Sequence, residues 1–135
     1  MNHYKIINFK KFSDKRGSLT AIESFLDIPF EVKRIYYLYD IPDDKIRGQH
    51  AHKNLEQVIL CLNGSLDIII DNGTYKEKFT LNDPSIGLYI PSMHWRTLEN
   101  FSKSSVCLVL ASQHYDEDDY YRDYSDFLSN IKLEK

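Results

Sequence analysis

The residues of this chain best suited to chemistry are two histidines two positions apart, His50 and His52, with Glu56 four residues further on. In an extended strand, side chains two apart leave the same face about 7 Å from each other. Two imidazoles and a carboxylate on a β scaffold can hold a metal ion or move a proton. For a metal, His94 completes a set of three histidines and a carboxylate with His50, His52 and Glu56, suited to iron, manganese, nickel or zinc. Arg47 points the other way. A guanidinium beside the pair opposes a cation and suits a phosphate or a developing oxyanion. Arg16, Arg34 and Arg96 would add to that charge if the strands bring them together, and their convergence would imply an anionic substrate. Tyr37, upstream of the pair, offers a phenol as acid or hydrogen-bond donor, with Tyr36 the alternate because sequence does not fix the strand's register. The residues by themselves leave metal binding and proton transfer both open.

Short apolar runs separated by turn residues must position these groups, the pattern of an all-β sandwich or barrel. Strands are expected at Lys5 to Phe9 and Ser18 to Glu23, flanking a turn at Asp14 to Gly17, and at Val32 to Tyr39. Gln57 to Leu62 and Leu66 to Ile70 read as a hairpin across Asn63-Gly64, with Asp67 and Asp71 on the wetter face of the second strand. Asp71-Asn72-Gly73 turns into a strand from Thr74 to Thr80, and Leu88 to Ile90 forms another. The nearly unbroken apolar run Ser105 to Ala111 predicts burial on both faces. Tyr124, Phe127, Leu128 and Ile131 recur at helical spacing and predict a short C-terminal helix. The acidic run Asp116 to Asp119 before it reads as a solvated, helix-starting segment.

Length and composition bound the functions. The chain of 135 residues is read as one domain, 1–135, without repeats or linkers. Its 17 basic and 20 acidic residues, net −3, argue against sequence-independent nucleic-acid binding, which needs a basic face. No run approaches membrane-spanning length and none resembles a signal peptide, so no membrane partner is expected and the cytoplasm is the expected location. Cys61 and Cys107 lie in apolar runs and read as core thiols. Ten tyrosines are accounted for mostly by strand propensity and interface packing.

The pattern His50-x-His52-x-x-x-Glu56 with Gly64 beyond it resembles the first motif of the cupin superfamily, and Gly87 to Pro91 followed by His94 resembles its second. The cupin fold is a jelly-roll β-barrel. Over nearly its full length the chain resembles the metal-free dTDP-4-keto-6-deoxyglucose 3,4-ketoisomerase family. The residues that carry this are Asp14-x-Arg16-Gly17-Ser18-Leu19, Lys33-Arg34-Ile35-Tyr36-Tyr37, and Arg47-Gly48-Gln49-His50-Ala51-His52-Lys53 with Leu55-Glu56-Gln57-Val58. Gly87-Leu88-Tyr89-Ile90, Trp95-Arg96 and the tail from Leu110 to Tyr124, with Tyr115-Asp116-Glu117-x-Asp119-Tyr120-x-Arg122, continue it. His94 before Trp95 departs from the family pattern.

The resemblance implies a homodimer that binds a dTDP-linked 4-keto-6-deoxyhexose and needs no metal or other cofactor. It implies a shift of the ketone from C4 to C3 through an enediol, supplying a precursor of 3-amino-3,6-dideoxyhexoses for surface polysaccharides. His52 is the first choice for the base and His50 the second, Tyr37 the acid or enediolate donor, and Arg47 the stabiliser of the oxyanion or diphosphate. Arg16, Tyr36, Gln57 and Arg96 are expected to contact the substrate. Glu56 is expected to orient a histidine by accepting its second N–H. A metal-dependent cupin enzyme and a non-catalytic sugar-nucleotide-binding cupin are the alternatives.

Overall fold

The computed structural model describes residues 3–134, with side chains through Ile131. Among them, two five-stranded sheets pack face to face, and every pairing within them is antiparallel. The first runs β1 (Lys5–Asn8), β9 (Ile86–Ile90), β6 (Gln57–Asn63), β11 (Val106–Ala111), β4 (Arg34–Leu38). The second runs β12 (Tyr120–Tyr121), β5 (Arg47–His52), β10 (Trp95–Glu99), β7 (Leu66–Asp71), β8 (Lys76–Leu81). A separate ribbon pairs β2 (Phe12–Asp14) with β3 (Gly17–Leu19). The helix α1 (Tyr124–Glu134) follows β12. This is the expected jelly-roll β-barrel of cupin type with a short C-terminal helix.

Alternation along the strands builds three apolar clusters. Ile59 and Cys61 of β6, Ile68 and Ile70 of β7, Leu98 of β10 and Cys107 and Val109 of β11 meet between the sheets. Their neighbours Val58, Leu60 and Leu110 face the other way, under Phe9, Ile28 and Phe30. Covered on both faces, β6 and β11 read as continuous apolar runs. Outside the second sheet, Phe127 and Ile131 of α1 bury Ala51 of β5. The Asp123 side chain accepts the N–H of Asp126 at 3.1 Å and caps the helix.

Several expectations are corrected. Gln57 to Leu62 and Leu66 to Ile70 do not form a hairpin: β6 pairs with β9 and β11, and β7 with β10 and β8. At Gly64 (φ +78°) the chain crosses from one sheet to the other, held by Ser65 N–H donating to Ser102 Oγ at 2.8 Å. The face of β7 that carries Asp67 and Asp71 is not wet. Both carboxylates are buried and paired, Asp67 accepting from Thr80 Oγ1 at 2.6 Å and Asp71 from the Tyr124 hydroxyl at 2.5 Å. The strand expected from Ser18 to Glu23 is only Gly17–Leu19, and it pairs with β2 rather than with β1. The central strand β10 escaped the apolar pattern because buried Arg96 interrupts it.

Candidate active site

The strand β5 carries the histidine pair, and a bulge in it sets the site's geometry. His50 lies opposite Arg96 of β10, whereas Arg47 lies opposite Leu98, so β5 holds one residue more than its partner over this stretch. The extra residue falls where Gly48 takes φ +68°, a left-handed conformation that glycine adopts without steric cost. A Cβ at Gly48 would also approach Leu98 Cδ1 to 2.9 Å. Residues three apart in a regular strand face opposite sides; the bulge lets Arg47 and His50 line the same cavity.

That cavity, of about 470 Å³, opens between the sheets. Arg34 and Tyr36 of β4, Gln57 of β6 and Arg96 of β10 form its walls with Arg47 and His50. Tyr115, Tyr120 and Arg122, from the tail that returns across the end of β5, complete it. The His50 and His52 rings meet edge to face, 4.7 Å between centroids. Tyr120, the register partner of His52, packs against both imidazoles at 5.0 and 4.4 Å. The Arg122 guanidinium lies 4.2 Å over the Tyr120 ring and is fixed by Glu117, 2.6 Å from its Nε. Those hydrogen bonds hold the Glu117 carboxyl down at about 2.

A polar chain runs along the floor. Buried Arg96 donates from Nη2 to His94 O at 3.0 Å and from Nη1 to Gln57 Oε1. Gln57 Nε2 in turn donates to the Tyr36 hydroxyl at 3.0 Å. With its oxygen accepting that bond, the Tyr36 O–H proton is available to a ligand. Burial raises the Tyr36 phenol above its ordinary value, so it stays a neutral donor at pH 7. Burial also lowers Arg96 to about 10, which still leaves it cationic. Removal from water, then the Arg96 charge, push His50 down to about 3. The same causes in the same order, with His50 third, depress His52 further. An Asp119 carboxylate 3.3 Å from His52 Nδ1 favours the charged ring, but burial outweighs it. Both imidazoles are neutral near pH 7 and can accept a proton.

The expected site residues divide into three groups. Arg47, His50, Tyr36, Gln57 and Arg96 line the cavity. His52 is fully buried behind His50 and is not part of its wall. Tyr37 and Arg16 lie outside. Because neighbours in a strand alternate, inward Tyr36 turns Tyr37 outward, where it is 59% exposed and packs on Tyr39. Arg16 sits on the β2–β3 ribbon, paired with Asp14 at 2.6 Å. Glu56 does not reach a histidine either; it accepts from the Tyr89 hydroxyl. His94 directs Nδ1 to Ser92 O and packs on Tyr4, so the four candidate metal ligands do not converge. Among the described residues no three His, Cys, Asp or Glu side chains are grouped to hold a metal.

Residue type and spacing alone do not single out Asp119, Tyr120 and Arg122 for chemistry. The acidic run that hid them is not wholly solvated, since Asp119 is 5% exposed while its three predecessors are exposed. An acidic residue directly before a Tyr-Tyr-Arg step was the available signal.

Comparison with known proteins agrees over nearly the full length. The family model described as FdtA, WxcM-like, C-terminal, matches residues 2–132. A TDP-4-oxo-6-deoxy-alpha-D-glucose-3,4-oxoisomerase of Aneurinibacillus thermoaerophilus is 49% identical over 134 residues, 97% of this chain and 96% of the relative. The 3,4-ketoisomerase QdtA of Thermoanaerobacterium thermosaccharolyticum has been solved as a histidine-to-asparagine variant in complex with TDP-4-keto-6-deoxyglucose. It is 44% identical with a TM-score of 0.95, over 98% of this chain and 96% of that one. The WlaRB TDP-quinovose 3,4-ketoisomerase of Campylobacter jejuni is 48% identical with a TM-score of 0.92, over 96% of this chain and all of that one (100%).

Proposed function

The chain belongs to the FdtA, WxcM-like C-terminal family, and on that premise we propose that it is a 3,4-ketoisomerase acting on a dTDP-linked 4-keto-6-deoxyhexose. The observation that carries this is the neutral imidazole of His50, its Nε2 without a protein partner, in the wall of a cavity lined with arginines. Arg34, Arg47 and Arg96 have no carboxylate within ion-pair distance among the described residues, so their charge is available to a diphosphate.

The ketone at C4 acidifies the C3 hydrogen. His50, the imidazole on the cavity wall, takes that proton, and His52 supports it from behind; this reverses the order of the two expected from sequence. As the electron pair moves toward the C4 oxygen, Tyr36 donates its phenolic hydrogen bond there, the role expected of Tyr37. An enediol results. Loss of the C3 hydroxyl proton and protonation at C4 leave the ketone at C3 and a hydroxyl at C4, with atoms and electrons conserved. A bound diphosphate would raise both depressed histidines by its negative charge, bringing the base nearer the pH at which it works best. A 3-ketone is the group that a subsequent amination would need, in keeping with the expected 3-amino sugar.

Exposed Ile35, Tyr37 and Tyr39 around β4, with Phe12 and Leu19 on the ribbon, support a homodimer covering apolar surface. No helix among the described residues is long and apolar enough to cross a membrane. A cytoplasmic location is part of this reading. The test is incubation with dTDP-4-keto-6-deoxyglucose and identification of the product by NMR. A 3-keto sugar nucleotide is expected, with solvent deuterium at C4 when the reaction runs in D2O. Binding without turnover would replace this reading with a non-catalytic sugar-nucleotide binder. Turnover that tracks a bound metal would replace it with a metal-dependent cupin.

A further inference from the structure

Behind the cavity wall lies a contact that the proton transfer outlined above does not itself use. Asp119 is 5% exposed, and its Oδ2 lies 3.3 Å from Nδ1 of fully buried His52. The remaining capacity of the carboxylate is also committed. Oδ1 accepts from Asn54 N–H at 2.9 Å and from Asn54 Nδ2 at 3.2 Å, and Oδ2 accepts from Leu55 N–H at 3.2 Å. The backbone fixes both partners, Lys53 N–H donating to Asp119 O at 2.8 Å while Tyr120 pairs in register with His52. A buried carboxylate surrounded by N–H donors is an acceptor on every side. It therefore places the His52 proton on Nδ1. The 3.3 Å separation is long and falls short of a full hydrogen bond, as is common for such pairs before substrate binds.

We propose that Asp119 is a positioning residue for the histidine pair: its carboxylate holds His52 as the Nδ1–H tautomer, leaving Nε2 as an unprotonated lone pair beside His50. Glu56, the carboxylate expected in this role, is turned toward Tyr89. The consequence for turnover rests on the ketoisomerase reading; the tautomer itself does not.

The substitution Asp119→Asn separates charge and tautomer from shape. Its carbonyl can keep the two Asn54 donors at the loss of the single Leu55 N–H bond, which puts the amide NH2 against His52 Nδ1. The ring must then accept at Nδ1 and carry its proton on Nε2. The experiment reads the imidazole 15N signals at neutral pH in wild type, Asp119→Asn and Asn54→Ala, with kcat, KM and the Kd for TDP measured on each. Wild type should show His52 protonated at Nδ1, and Asp119→Asn should show it protonated at Nε2. In Asp119→Asn kcat should fall about 100-fold or more, the scale of general acid–base catalysis, with Kd for TDP within about twofold because Asp119 does not line the cavity. Asn54→Ala removes one donor to the same carboxylate and should leave tautomer and kcat unchanged. Wild-type His52 protonated at Nε2 overturns the proposal without any variant having to fold. So does Asp119→Asn that keeps the Nδ1–H tautomer or turns over within about threefold of wild type. A wild type that lacks ketoisomerase turnover refutes the functional reading while the tautomer assignment still stands or falls on its own signals.

Discussion

Asp71 and His52 are both buried in the second sheet, one beneath the C-terminal helix and the other beside the cavity, and they are partnered in opposite ways. Asp71 accepts from the Tyr124 hydroxyl at 2.5 Å and from Gly73 N–H at 2.8 Å, and Asp67 four residues before it is bonded as fully. Neither nitrogen of His52 makes a full hydrogen bond, Nδ1 lying 3.3 Å from Asp119 Oδ2. Among the described residues, every buried side-chain nitrogen or oxygen left unpartnered belongs to Arg34, His50, His52 or Arg96. Three of these line the cavity, and His52 stands directly behind it. Buried polar groups normally find partners, because leaving one unmade costs about 1–3 kcal/mol. The unmade bonds of Arg34, His50 and Arg96 around one cavity therefore mark where the fold has given up stability for a ligand's hydrogen bonds. The same polarity beneath the helix is structural.

The largest effect expected from breaking this contrast is on turnover. His50→Asn keeps a polar side chain of similar size but cannot take a proton near neutral pH. It should lower kcat by about 10²–10⁴-fold and leave the thermal melt close to wild type. Near-wild-type turnover would remove His50 as the base and return that role to His52.

The two adjacent tyrosines of β4 sharpen the contrast further. Tyr36→Phe should slow turnover by roughly tenfold or more, because it deletes the phenolic donor and leaves Gln57 Nε2 without its acceptor. Tyr37→Phe should change the rate by less than about twofold. Steady-state kinetics on both variants check this, and a larger loss in Tyr37→Phe would contradict the strand register as the determinant.

A pH dependence of stability follows from the buried histidines. His50 titrates at about 3 in the folded chain against an ordinary 6.5, so between these values the unfolded chain binds more protons. Stability is thus fully present above pH 6.5 and is lost as the pH falls toward 3, by up to about 1.4 kcal/mol per unit for one such group. Thermal melts from pH 7 to 4 should show the decline, and it should be shallower in His50→Asn. An equal slope in the variant would place the titration elsewhere.

The smallest effect belongs to the paired region. Tyr124→Phe removes one donor to Asp71 and should destabilise the protein by about 1 kcal/mol, without altering kcat. Comparing its melt and its turnover with wild type tests whether the helix-covered face is purely structural. A loss of kcat would couple that face to the cavity.

Which side chains are available and which elements form are already written in the order of residues along the chain. The period-two pattern, the turn residues and the helical spacing of Tyr124 to Ile131 specify a β-barrel and its terminal helix, because each is a local record of what faces water. The His-x-His spacing put both imidazoles on one face for the same reason. What those faces meet depends on how the strands are arranged in the closed barrel. A hairpin and a crossing between sheets look alike at Asn63-Gly64, and neither alternation nor propensity reveals that Tyr36 rather than Tyr37 turns inward. The bulge at Gly48 depends on the close approach of Leu98 from another strand. The choice of Asp119 over Glu56 beside His52 depends on a contact across 67 positions of sequence, read from the residue numbers. Local patterns record burial, whereas a site is made by side chains from distant segments, whose convergence is fixed only when the sheets close on one another.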